Sequence, residues 1–163
     1  MIILVSLLAS VSAESICEYA SSASATSQNS LGSLAQYATG APNAPNGEEC
    51  NLWSGYGYSW SPSSWSIKST LTLNYNTPVK ASDLRIIGDY DMCWNKIWLK
   101  NSKTGTQLKI FEGIDNSCVL TKSLDGNFLA DSVVLETCGW AWSSTDAVQL
   151  CGTTIQDAPA PEP

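Results

Sequence analysis

Apolar and polar positions alternate along much of this chain, most clearly from Thr70 to Ile86. Leu71, Leu73 and Tyr75 alternate with Thr70, Thr72 and Asn74. Period two over that length is the mark of a strand with one face buried and one wet. Thr77-Pro78 breaks the pattern, because proline has no N–H to donate to a ladder. Alternation resumes with Val79, and then with Leu84 and Ile86 around Asp83 and Arg85. Two strands joined by a short proline corner are therefore expected at the centre of an antiparallel sheet.

Other segments repeat the pattern around this centre. Ile97 and Leu99 alternate with Trp98 and Lys100, and Leu108 and Ile110 fall on one face of Gln107–Phe111. Val119–Leu124 and Ser132–Thr137 flank the turn residues Asp125-Gly126-Asn127, and Asp146–Gly152 is a last apolar run. Ser21–Ser33, rich in Ser, Ala, Thr and Asn, is expected to be an exposed irregular lead-in. Gln36–Gly47 contains Pro42 and Pro45 and reads as a stiffened loop; Gly88–Asn95 reads as another. About eight short strands without an amphipathic helix predict an all-β fold, an antiparallel sandwich.

Composition narrows the chemistry. The 163 residues carry eight basic and 15 acidic side chains, a formal charge of −7. That balance offers no basic surface for nucleic acid or anionic lipid. Histidine is absent, which removes the commonest general base and the commonest metal ligand together. No Ser-His-Asp or Cys-His arrangement can form without it, so the expectation is a non-enzyme.

Residues 1–13 have the character of a signal peptide. Ile2–Val11 is nearly all apolar, and Val11 and Ala13 suit the −3 and −1 positions of a cleavage site. The run is shorter than the roughly 20 residues needed to span a bilayer, so membrane insertion is not expected. The mature domain would be residues 14–152, with 153–163 a Pro- and Ala-rich tail. Six cysteines follow the proposed cleavage site: Cys17, Cys50, Cys93, Cys118, Cys138 and Cys151. An even count behind a secretion signal implies disulfides and an extracellular or cell-surface location. No pair has zinc-site spacing, and six cysteines allow about 15 pairings.

Segments in a particular order carry a family resemblance. They are Gln36-Tyr-Ala-Thr-Gly-Ala-Pro-Asn43, Ser59-Trp-Ser-Pro62, Leu71 to Ala81, Leu84-Arg-Ile86, Ile97-Trp-Leu99 with Gly105 in the following turn, and Thr145-Asp-Ala-Val-Gln-Leu150. Together, from Tyr19 to Gly152, they resemble the galactose-binding-like jelly-roll domains, and discoidin-type modules in particular. The resemblance implies a jelly-roll sandwich with adjacent terminal strands. It places Trp60 and Trp65 beside strands, as core residues, and Asp146 in the last strand, accepting hydrogen bonds from a neighbouring loop. Adjacent terminal strands would join Cys17 to Cys151; Cys50–Cys93 is expected to tie the proline-asparagine loop to Gly88–Asn95, and Cys118–Cys138 to close the loop around the Asp125 turn.

Loop aromatics suggest the function. Trp53, Tyr56 and Tyr58 are interleaved with Gly55 and Gly57, and Tyr90 and Trp94 lie with Asp89 and Asp91 in Gly88–Asn95. Aromatic faces stack on the C–H face of a sugar, and carboxylates accept bonds from its hydroxyls. These residues are the expected ligand-binding set, with a glycan or glycoprotein as partner. The alternative is a structural or adhesive component that contacts extracellular proteins through the same loops. Trp140 and Trp142 are expected to pack within the core or against loops. Asn43, Asn46, Glu49 and Asp146 could hold a structural calcium ion, which wants six to eight oxygens; no other cofactor is expected.

Overall fold

In the computed structural model the described residues are 13–30, 32–43, 58–88 and 92–155. They form eight strands and one 3-10 turn. The strands are β1 (Ser15–Tyr19), β2 (Ser22–Ala25), β3 (Thr70–Gly88), β4 (Trp94–Lys100), β5 (Gln107–Asp115), β6 (Val119–Ser123), β7 (Leu129–Thr137) and β8 (Thr145–Thr154), and the turn is Ala35–Ala38. Every strand pairing is antiparallel.

The long strand β3 organises the domain. Its first arm, Thr70–Asn74, lies between β2 and β7, and β7 continues to β4 and β5. Its second arm, up to Gly88, lies between β8 and β6, with β1 beyond β8. Hydrogen bonding therefore runs through one connected sheet that bends over itself at β3 into two facing layers. The register slips between Asn74 and Val79, where Thr77-Pro78 cannot sustain the ladder. The Glu18 carboxylate steadies this corner by accepting bonds from the Thr77 hydroxyl at 2.6 Å and the Thr77 N–H at 3.2 Å.

The core lies between the layers and uses the alternation seen in the sequence. Leu71 and Leu73 from the first arm face Leu84 and Ile86 from the second. Ile97, Leu99, Val133, Leu135, Val148 and Leu150 complete the contact, all of them buried. Tyr75 is buried beside them and donates its hydroxyl to the Val148 carbonyl at 3.2 Å. Burial pushes its phenol well above the usual tyrosine range. Gly152 is required where β8 meets β3, since a Cβ there would stand 2.3 Å from the Lys80 carbonyl oxygen.

Two expectations need correction here. Ser22–Ala25 is a strand and not an irregular lead-in: its backbone pairs with Leu71–Asn74, completing the outer edge of one layer. Its Ser-Ala-Ser-Ala sequence has alternation too weak in hydropathy to reveal this. The disulfides are also different. Cys17–Cys151 forms as expected between directly opposed residues of β1 and β8, but Cys93 pairs with Cys138. That bond excludes both Cys50–Cys93 and Cys118–Cys138; Cys118 is itself disulfide-bonded. Cys93 immediately precedes β4 and Cys138 immediately follows β7, and antiparallel pairing brings those two ends together, which sequence separation does not show. Residues 1–12 and 156–163, covering nearly all of the expected signal peptide and most of the tail, lie outside the described residues.

Candidate functional site

Because β3 doubles back, its first residue Thr70 and its last residue Gly88 come to the same end of the sandwich. Gly88 pairs with Thr145 at the start of β8, and Thr70 pairs with Glu136 near the end of β7. Trp60 joins this end through two backbone hydrogen bonds with Thr145, 2.8 and 2.9 Å. Trp94, opening β4, lies across from Thr137. The two indoles stack inside, with centroids 6.4 Å apart and planes at 15°. The described flanks of both aromatic loops thus meet at one end.

Trp60 is fully buried, as the sequence implied, and its indole N–H donates to the Ser27 carbonyl at 3.1 Å. Trp94 is also fully buried, which corrects its expected place among ligand-facing rings. The register of β4 turns it inward, in line with Ile97 and Leu99 after the slip between Trp94 and Lys96. Its loop position in the sequence gave no sign of that turn. Tyr58 is exposed at the rim. Trp53, Tyr56, Asp89, Tyr90 and Asp91 lie outside the described residues, as do Asn46 and Glu49.

Two facing loops complete this end. Ser61–Lys68 and Cys138–Ser144 run antiparallel, held at one end by Trp60 and Thr145. At the other, the Thr137 N–H donates to the Ser69 carbonyl and the Ser69 N–H to the Thr137 hydroxyl, both at 2.9 Å. Gly139, at φ +76°, presses on Lys68, whose backbone nitrogen would lie 3.0 Å from an added Cβ. Three indoles emerge between these ties: Trp65 at 54 % exposure, Trp140 at 54 % and Trp142 at 38 %, and Ile67, two residues from Trp65, is exposed at 46 %. Trp65 was expected in the core, and Trp140 and Trp142 in packing roles. Ser63, two residues before Trp65, was the one available signal, since a core tryptophan on a strand would have an apolar neighbour there as well as at Ile67.

Asn43 and Asp146 were paired as candidate cation ligands, and they do meet. The buried Asp146 carboxylate accepts the Asn43 N–H at 3.3 and 3.2 Å. With the Asn43 amide oriented to suit its neighbours, its nitrogen also reaches Asp146 Oδ1 and the Tyr58 carbonyl, each at 3.2 Å. Asp146 thus anchors the Asn43 loop to β8, the backbone-bonding role that the resemblance implied for it. No group of three or more Cys, Asp or Glu side chains placed to hold a metal occurs among the described residues.

Comparison with known proteins gives a consistent architecture. No family model matches the chain, and no curated protein matches it. Solved structures do. A family 32 carbohydrate-binding module from Clostridium perfringens NanJ, in complex with galactose, is similar with a TM-score of 0.57 and 17% identity. The alignment covers 83% of this chain and 99% of that one. This chain has the galactose-binding-like β-sandwich fold. A second family 32 carbohydrate-binding module, also from Clostridium perfringens and in complex with GalNAc-β-1,3-galactose, aligns at 16% identity over 79% of this chain and 93% of its own, with a TM-score of 0.57. The lectin domain of lectinolysin, complexed with Lewis b antigen, aligns at 12% identity over 84% of this chain and 93% of its own, with a TM-score of 0.56.

Proposed function

We propose that this protein is a secreted, non-catalytic module that binds carbohydrate or glycoconjugate at the loop end of its sandwich. One observation carries the proposal. Three tryptophans, Trp65, Trp140 and Trp142, are exposed on two facing, braced loops, on a fold whose neighbours include modules solved with sugars. Exposed indoles on an ordered scaffold cost solvation, and a sugar's C–H face is a partner that recovers it. Tyr58 at the rim belongs to the same surface. Trp53, Tyr56, Asp89, Tyr90 and Asp91 are assigned to it from their sequence positions, the carboxylates accepting hydroxyl protons. A shallow site of this kind gives dissociation constants nearer millimolar than nanomolar, about −4 to −6 kcal/mol.

Ile67 favours a second reading. An exposed aliphatic side chain on the Trp65 loop offers nothing to hydroxyls and suits an apolar protein surface, as in an adhesive component. Two measurements separate the readings. Retardation on a galactose matrix, reversed by free sugar, supports glycan binding. Concentration-dependent growth in particle size, indifferent to sugar, supports protein contact instead.

A further inference from the structure

Both ends of the Trp140–Trp142 loop are fastened to a single residue. Cys138 is bonded to Cys93 through sulfur, and its N–H donates to the Cys93 carbonyl at 3.0 Å. Five residues on, the Ser143 hydroxyl donates to that same carbonyl at 2.9 Å and accepts the Cys93 N–H at 3.3 Å. Ser143 and Cys93 are fully buried and Cys138 nearly so. Only Gly139, Trp140, Ala141 and Trp142 lie between the two fastenings. Gly139 is itself held against Lys68.

We infer that Cys93 is a clasp that pre-organises Trp140 and Trp142 for ligand, with Ser143 as the positioning residue that closes it. The inference rests on the proposed sugar-binding role of these indoles. An unclasped loop would have to be ordered when ligand arrives, and a weak ligand gains too little per contact to offset that cost. The Ser143 hydroxyl suits the task because one oxygen both donates and accepts. Alanine can do neither, whereas threonine retains the hydroxyl.

The test compares wild type, Ser143→Ala, Ser143→Thr and the double variant Cys93→Ala/Cys138→Ala. It reads native-state amide exchange and titrates galactose by NMR. In Ser143→Ala, exchange across Gly139–Trp142 is expected to quicken about tenfold or more while amides of β3 and β8 keep their protection, as local opening requires. Galactose affinity is expected to fall about fivefold, with Ser143→Thr close to wild type on both measures. The cysteine variant should exceed Ser143→Ala in both effects. Unchanged loop exchange in Ser143→Ala, or a uniform rise over the whole sheet, overturns the clasp. So does galactose affinity that is unchanged in a wild-type and Ser143→Ala pair that both bind. If wild type binds no galactose, the proposed sugar role fails for that ligand, and the exchange data alone decide whether Cys93 clasps the loop.

Discussion

Replacing Trp60 or Trp94 should unfold the domain well before it affects any surface. Both side chains are fully buried, and truncation to alanine removes up to about 250 Å² of aromatic surface from the core. At about 25 cal/mol per Å² the upper bound is about 6 kcal/mol. Cavities left by aromatic truncation cost about 3–5 kcal/mol in practice, and we expect Trp60→Ala to fall in that range. It also removes the indole N–H from the Ser27 carbonyl, which retains the Ser69 hydroxyl at 3.3 Å, so that loss adds little. Each kilocalorie shifts the melting temperature of a domain this size by about 3–4 °C, giving a drop of about 9–20 °C. Because the rings stack, the double variant should cost less than the sum of the singles by about 0.5–1.5 kcal/mol. Urea denaturation followed by circular dichroism measures all three variants. A Trp94→Ala protein with an unchanged urea midpoint would refute this packing and return Trp94 to the surface.

Three further outcomes are expected. Gly152→Ala places a Cβ 2.3 Å from the Lys80 carbonyl oxygen, so it should destabilise by about 3 kcal/mol; an unchanged urea midpoint contradicts the β3–β8 contact. Tyr75 has a folded pKa raised by burial, so its stabilising effect is complete below the unfolded value of about 10 and is lost as pH rises above it. Tyr75→Phe should therefore flatten the decline in stability above pH 10, and an unaltered alkaline limb would contradict the burial. Non-reducing peptide mapping should recover Cys17–Cys151 and Cys93–Cys138, and a Cys50–Cys93 peptide would contradict the arrangement.

Much of the fold could be read from alternation alone. The strands around Leu71–Tyr75, Leu84–Ile86, Ile97–Leu99 and Ser132–Thr137 announce themselves because one of their faces is core. The strand Ser22–Ala25 does not, since its inward residues are alanines whose burial depends on a partner far along the chain. The site was less legible, for a related reason. Period-two alternation says which residues share a face but not which face meets the other layer, and in loops it says nothing. Trp94 looks like a loop residue until the register of β4 turns it inward. Trp65, by contrast, looks like a core residue until the ties at Trp60–Thr145 and Ser69–Thr137 place it on an outer loop. Pairing of Cys93 with Cys138 follows from the antiparallel pairing of β4 with β7, which sets Trp94 opposite Thr137, a long-range register that no local sequence records. Asp146 was legible through the resemblance, since an acceptor at the start of the last strand is set to receive loop N–H groups.

The most direct test of the account is a glycan array probed in parallel with the wild-type protein and with Trp140→Ala/Trp142→Ala, both confirmed as folded by circular dichroism. Wild type is expected to bind a defined set of glycans, and the variant to lose at least about tenfold in signal across that set, since aromatic anchors dominate such sites. A folded variant that binds the same glycans as strongly as wild type, or a wild-type protein that binds none, would contradict it.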